Sequence, residues 1–292
     1  MTMEQYATLI IGFRRPDLVS AVLAQLVAQT VQPAHVVLVD NGGDLTETLL
    51  TDSAYADRAT FVRRPENPGY SAAVNEARAV VAARGISRLL VLTHDAVFGP
   101  GLAQGLSAVF EDDRHPGAVA PLLRLVSRPD RVFSAGGRLT RNGRAWNSVT
   151  PADPSTPYEV DWVDGAVVMY RADALESIDW LDERYFLYFE DVDTSWRLRR
   201  AGWTVMVAPR VEARQEPGAH PMYLGIRNMT LFAAVARIGP VRNALGVGRR
   251  VAEESVHRLL HRRPPALRDA WRGWRDGRRG VAGHPKAGRA RG

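Results

Sequence analysis

The stretch Tyr6-Ala7-Thr8-Leu9-Ile10-Ile11-Gly12-Phe13-Arg14-Arg15-Pro16-Asp17 decides the reading of this chain. A short, nearly unbroken apolar run is the mark of a strand covered on both faces. Pro16 then suits the first turn of a helix, and Leu18, Val19, Val22, Leu23, Leu26 and Val27 recur at helical spacing. The alternation continues outward from there. Val36-Val37-Leu38-Val39 reads as a second strand, stopped by Asp40-Asn41-Gly42-Gly43, and Thr60-Phe61-Val62-Arg63 as a short third. Ala72, Ala73, Val74, Ala77, Val80 and Val81 trace a helix, and Leu89-Leu90-Val91-Leu92 a fourth strand ending at Thr93-His94-Asp95. Strands alternating with helices predict an α/β fold with a mostly parallel central sheet flanked by helices.

Beyond about residue 115 the rhythm changes. Shorter strands are expected near Val119–Leu122, Arg131–Ala135 and Tyr158–Val163 in an α+β continuation. Leu139–Thr156, rich in Gly, Asn, Ser and Pro, reads as a mobile loop. A helix through Trp196–Arg200 is stopped by Gly202, a strand follows at Thr204–Ala208, and Met222–Ile238 is helical again. The expected organisation is one domain over 1–240, with halves at about 1–115 and 116–240. A basic amphipathic helical extension follows over 241–276, then a disordered tail over 277–292.

At 292 residues, with 46% hydrophobic and 24% charged content, the chain has room for a substantial core. No apolar run approaches the ~18–20 residues needed to span a bilayer. The N-terminus lacks a basic n-region and there is no cysteine, so a signal peptide and disulfides are not expected and a cytoplasmic protein is. The net charge of +6 and pI of about 10.0 suggest nucleic acid until the charge is located. Residues 249–292 hold 13 Lys+Arg against 4 Asp+Glu, leaving 25 against 28 elsewhere. An acidic body with a basic tail argues against a nucleic-acid role. The tail interleaves Arg with Val251, Val256, Leu259, Leu260, Leu267, Trp271 and Trp274. Two readings follow: peripheral contact with an anionic membrane at its cytoplasmic face, or helices that close over the domain with a solvated basic side.

Chemistry concentrates in Phe186-Leu187-Tyr188-Phe189-Glu190-Asp191-Val192-Asp193, where three carboxylates follow four apolar or aromatic residues. A carboxylate held against apolar surface loses hydration, which raises its pKa and makes it a usable base near neutral pH. The plainer alternative is an acidic first helical turn. Phe13-Arg14-Arg15, Asp40-Asn41-Gly42-Gly43 and Thr93-His94-Asp95 follow strands, and Asn67-Pro68-Gly69-Tyr70 follows the third after a brief loop. Ligands of open α/β sheets bind at strand carboxyl ends, so all four motifs are expected to face one crevice. Asp40 offers an acceptor for a base N–H, Gly69 permits a close turn, and Asn67 and Asn75 offer amides. Neither G-x-G-x-x-G after the first strand nor a P-loop is present.

In this order the pieces resemble the family 2 glycosyltransferases of the GT-A fold, in particular their rhamnosyltransferase-like branch, over roughly residues 6–235. Val163-Asp164-Gly165-Ala166-Val167-Val168-Met169, Leu181–Phe186, Glu190–Asp193 and Arg227-Asn228 complete the match. The resemblance implies an inverting transfer of a sugar from a nucleotide-diphosphate donor, a dTDP- or UDP-sugar such as dTDP-rhamnose. The acceptor would be a hydroxyl of a glycan, a lipid-linked sugar or a secondary metabolite. Asp191 matches the general base, beside Glu190. Asp40 would recognise the uracil or thymine ring, Phe13 and Arg14 would line the nucleotide pocket, and Asn67, Gly69, Tyr70 and Asn75 would lie near base and ribose. Arg227 would meet the diphosphate, and Asp164, Gly165 and Trp196 the sugar or acceptor. Asp95 matches the last acid of the D-x-D element that binds Mg²⁺ or Mn²⁺, with His94 a further candidate. Two departures weaken the expected metal dependence: Thr93 stands at the first acid of D-x-D, and no His follows the next strand until His220. Arg214 is the candidate to neutralise phosphate directly. A catalytically weakened sugar-nucleotide-binding protein of the same fold is the alternative.

Overall fold

The structure, a computed structural model, describes residues 5–218 and 220–285. The first half runs β1 (Tyr6–Gly12), α1 (Pro16–Val27), β2 (His35–Asp40), α2 (Thr48–Thr51), β3 (Ala59–Arg63), α3 (Tyr70–Asn75), α4 (Arg78–Ala83), β4 (Arg88–Thr93), β5 (Val97–Phe98) and α5 (Leu102–Val109). The second runs β6 (Pro116–Leu125), β7 (Val132–Ser134), β8 (Gly137–Leu139), β9 (Ala145–Asn147), β10 (Tyr158–Glu159), β11 (Val167–Arg171), α6 (Ala172–Ser177), α7 (Glu190–Arg200), β12 (Thr204–Gln215), α8 (Met222–Val235), α9 (Pro240–Leu260) and α10 (Leu267–Arg278).

Strands order as β10-β12-β6-β11-β4-β1-β2-β3. The block β4-β1-β2-β3 is parallel, with Ile11 opposite both Val39 and Thr93. β11 then enters antiparallel between β4 and β6. Parallel order thus belongs to the first half, and mixed order to the second. Because side chains alternate along a strand, the buried residues of β1 and β2 divide between two cores. Ile10, Val36 and Leu38 pack under α1 and α5, with Val22, Leu26 and Leu106. Leu9, Ile11, Val37 and Val39 pack under α3, α4 and α6, with Ala73, Val81 and Leu175. Both faces are covered, as the unbroken apolar run of β1 requires.

The segment expected as a mobile loop over 139–156 contains β9, which pairs with β8 in a two-stranded hairpin. The extension expected over 241–276 is packed into the molecule: α10 lies along α8, with Ile226, Met229, Val247 and Ala270 sharing a core. Gly273 permits the approach, since a Cβ there would sit 2.5 Å from the Tyr223 carbonyl oxygen. The tail expected to be disordered from 277 begins inside α10, and Gly283 is hydrogen-bonded to both Arg184 and Arg227; residues 286–292 lie outside the described residues.

Candidate active site

A cavity of about 460 Å³ opens at the carboxyl ends of the central strands. One wall comes from the end of β4 (Thr93) and the turn into β11 (Asp164, Gly165, Ala166) with Tyr70, and a second from Leu187 to Val192 at the start of α7. The remaining walls are Phe133, Ala145, Trp146 and Asn147, then Gln215 and His220, and finally Arg250 and Glu254 of α9. Among the expected site residues, Tyr70, Asp164, Gly165, Glu190 and Asp191 are brought together here.

The backbone that delivers the two acids is strained. Phe186, Tyr188 and Phe189 have φ of 52°, 71° and 73°, a left-handed region unfavourable for bulky residues. Two contacts hold it. The Asn228 amide Nδ2 donates to the carbonyls of Leu187 (2.8 Å) and Tyr188 (2.7 Å). The Tyr70 N–H donates to the Phe186 carbonyl at 2.8 Å, an approach that only Gly69 (φ 107°) permits, because a Cβ there would lie 2.3 Å from that oxygen. Tyr70 Oη in turn donates to the Gly165 carbonyl at 2.5 Å, tying the α7 entry to β11.

Burial and mutual repulsion shape the titration of the acids. Loss of hydration, then the Asp164 charge, pushes Asp191 up to about 7. Loss of hydration and the Asp191 charge raise Glu190 well above the usual carboxylate range, and Glu190 Oε2 is buried with no hydrogen-bond partner. Asp164, also desolvated, is raised to about 6, with the Asp95 charge contributing. Asp95 is half-buried and does not line the cavity, yet its field reaches Asp164. The third acid of the run has another role: Asp193 is fully buried and pairs with Arg197 (2.7 Å), which donates to the carbonyls of Ile178 and Trp180.

At the strand ends, Asp40 is fully buried. Its Oδ1 accepts from the backbone N–H groups of Gly42, Gly43 and Asp44 (2.8–3.3 Å). Its Oδ2 lies 3.5 Å from Arg63 Nε and makes no hydrogen bond. Asn67 Oδ1 accepts from Asn41 at 3.0 Å. Phe13 is half-buried, and the Arg14 guanidinium lies over its ring at 5.0 Å. His94, beside Asp95, is half-buried and outside the cavity lining.

Four expected residues are engaged elsewhere. The Asn75 amide is taken up by Leu181 and Glu183, so it braces that segment instead of facing a nucleotide. Arg214 is exposed beside Val97 and Arg124; strand alternation turns its neighbour Gln215 into the cavity instead. Trp196 packs edge-on against Phe232. Arg227 is fully buried under α10, donating to Asn228 Oδ1 (2.9 Å) and the Gly283 carbonyl (2.8 Å); it fixes Asn228, which holds the strained segment.

Other lining residues carried no sequence signal. Trp146 and Asn147 lie in the hairpin within the supposed loop, and Arg250 and Glu254 in the supposed appendage. His220, which the sequence singles out as late, lies with its ring tilted against that of Tyr188, centroids 4.4 Å apart. Its pKa is lowered by lost hydration and then by the Arg250 charge. Among the described residues no three His, Cys, Asp or Glu side chains form a metal-holding group. Asp95 thus offers a single carboxylate to a divalent cation, whose remaining ligands would have to come from a substrate's own oxygens.

The family described as "Glycosyltransferase like family 2" matches residues 4–233. The N-acetylglucosaminyl-diphospho-decaprenol L-rhamnosyltransferases of two Mycobacterium tuberculosis strains are each 30% identical over 218 residues, covering 65% of this chain and 69% of theirs. Among solved structures, GalNAc-T7 with UDP, GalNAc and Mn²⁺ superposes with a TM-score of 0.62 at 13% identity, over 80% of this chain and 48% of that one. S. aureus TarS superposes at 0.56 and 13%, over 87% and 43%. The chain thus spans less than half the length of either solved structure, which it resembles in fold. With the match covering both halves of the sheet and the acids converging at the strand ends, the chain belongs to the family 2 glycosyltransferases and carries the GT-A fold.

Proposed function

We propose that the protein transfers a sugar, with inversion, from a nucleotide-diphosphate donor to a hydroxyl of a saccharide carried on a lipid diphosphate, and that Asp191 is the general base. The observation that carries this reading is the Glu190–Asp191 pair at the cavity wall, with Asp191 raised to about 7 by burial and Asp164. A base titrating near the working pH combines an available ionised form with strong proton affinity. The relatives from M. tuberculosis, named for rhamnosyl transfer to a diphospho-decaprenol-linked N-acetylglucosamine, make dTDP-rhamnose the first donor to try. Asp40 Oδ2, buried and without a hydrogen-bond partner, suits the N–H of a uracil or thymine ring. Phe13, Arg14, Asn67 and Gly69 would complete that end.

Asp95 would hold a divalent cation against the donor diphosphate, where it neutralises charge on the leaving group. With Thr93 in place of the usual first acid, that dependence is weakened; activity abolished by EDTA and restored by Mn²⁺ would count against this point. The reading is tested by incubating the protein with UDP-, dTDP- and GDP-sugars and a diphospholipid-linked acceptor, and by assigning the product's anomeric centre by NMR. A product of inverted configuration supports it. Nucleotide binding with no transfer from any donor would favour a sugar-nucleotide-binding role.

The outer face of α9 bears on where the protein works. At 100° per residue, Val241, Leu245, Ala252, Val256 and Leu259 fall within a stripe about 60° wide. The four large side chains of that stripe are 58–72% exposed, while Arg250 and Glu254 on the opposite side line the cavity. Arg242 and Arg249 are exposed beside it, Arg249 paired with the exposed Glu253. Such a surface suits an anionic bilayer, and it would hold the cavity one helix width from lipid. No helix among the described residues is long and apolar enough to cross a membrane.

A further inference from the structure

One wall of the cavity contains polar atoms that the fold leaves unused. Asn147 Oδ1, Gln215 Oε1 and Arg250 Nε are buried, and none has a hydrogen-bond partner among the described residues. All three belong to the cavity lining, together with the indole of Trp146. They come from three separate elements, β9, β12 and α9, so no local turn or cap accounts for them. Buried polar groups without partners are costly. Converging on a cavity beside an aromatic ring, they match a saccharide: the indole offers a face, and the amide oxygens accept from hydroxyl groups.

Arg250 adds a charge requirement. The cavity already holds the acidic side chains of Asp164, Glu190, Asp191 and Glu254, and each of them that is ionised opposes an anionic ligand. Arg250 faces into this field with Glu254 one turn away, and burial lowers its pKa against the opposing pull of the Glu254 charge, with the nearby Arg144 charge adding to the lowering. Arg144 is itself bonded to Glu253 and lies over the Trp146 ring. The α9 segment is therefore fixed to the hairpin, and Arg250 is held at the hairpin end of the cavity. A planar guanidinium in that position matches phosphate oxygens in bidentate fashion.

We infer that the hairpin, Gln215 and α9 form the acceptor seat, and that Arg250 recognises a phosphate carried by the acceptor saccharide, with Asn147 and Gln215 reading its hydroxyls. This rests on the glycosyl-transfer reading and assigns the residues that recognise the acceptor at the same site. The donor also carries phosphate, and the test separates the two sources. It uses full-length Asp191→Asn protein, so that binding is read without turnover, through tryptophan fluorescence. Two acceptor analogues sharing N-acetylglucosamine are titrated, one a short-chain diphosphate and one a neutral alkyl glycoside. dTDP and UDP are titrated by calorimetry.

Adding Arg250→Gln should cut the preference for the phosphorylated analogue, the ratio of the two Kd values, at least tenfold, with nucleotide Kd changed less than threefold. Arg250→Lys should restore part of that preference. Asn147→Ala and Gln215→Ala should weaken both analogues alike, by threefold or more. Retained binding of the neutral analogue by Arg250→Gln shows that the variant is folded. An unchanged preference ratio, or a loss falling on the nucleotides instead, overturns the inference while leaving sugar transfer intact. A collapsed ratio in a protein whose wild type transfers nothing supports the acceptor seat and contradicts the reaction.

Discussion

At Asp191 two effects push the same way: burial removes hydration from the charged form, and the Asp164 carboxylate repels it. The sign of the resulting pH dependence follows. Below about 7 the carboxyl carries its proton and cannot accept another, so kcat/KM should fall as pH drops through about 7, with Glu190 and Asp191 titrating as a pair. Asp164→Asn removes the second cause and leaves the first. The acid limb should then move to lower pH, by up to about one unit, while staying above the ordinary carboxylate range. A pH–rate series on both proteins checks this, and a limb that stays in place or moves upward would contradict it. The adjacency of Glu190 and Asp191 to an aromatic run was legible in the sequence. That Asp193, two residues on, is a buried partner of Arg197 was not, because a run of letters does not say which side of the first helical turn meets the cavity.

Among the elements, the segment Phe186–Phe189 decides whether α7 starts in the right place. Its three left-handed aromatic residues cost of order 1–3 kcal/mol each, offset by the clamp from Asn228 and by the close seat on Gly69. Gly69→Ala places a Cβ against the Phe186 carbonyl and should destabilise the fold by about 2 kcal/mol or more. Asn228→Ala strands two carbonyls and should cost about 2–4 kcal/mol, with kcat falling more than the KM for donor. Urea denaturation and steady-state kinetics read both. An Asn228→Ala protein of wild-type stability and kcat would show that the clamp does not hold the acids. Gly69 was readable as a close turn. Arg227 was misread, since a motif gives a residue's identity and not the direction of its side chain, here toward α10 and Gly283. Arg214 and Gln215 show the same limit on a strand, where a shift of one position exchanges the two faces.

For the whole molecule, α9 joins the inside to the outside. Its polar inner face lines the cavity, and its apolar stripe looks outward. Composition revealed the basic tail as an extension after 240, and a run of charges does not say which of its residues, here Arg250 and Glu254, turn inward. Likewise Trp146 sits on a three-residue strand too short to show a period. Removing α9 would expose Met229 and Ile226, so the membrane proposal is better tested by point changes. In the double variant Leu245→Glu with Val256→Glu, each exposed side chain lost from a bilayer is worth about 1.5–3 kcal/mol. Retention by vesicles containing phosphatidylglycerol should therefore fall at least tenfold, and wild-type retention should weaken with added salt. Equal retention of the two proteins would contradict the docking surface.

The most direct measurement compares wild type with Asp191→Asn for sugar transfer from the nucleotide-sugar donor, with nucleotide affinity measured on the same samples by calorimetry. The expected result is a loss of transfer of about 10²–10⁴-fold with nucleotide Kd changed less than threefold. Transfer by Asp191→Asn within a few-fold of the wild-type rate would contradict the assignment of Asp191 as the base.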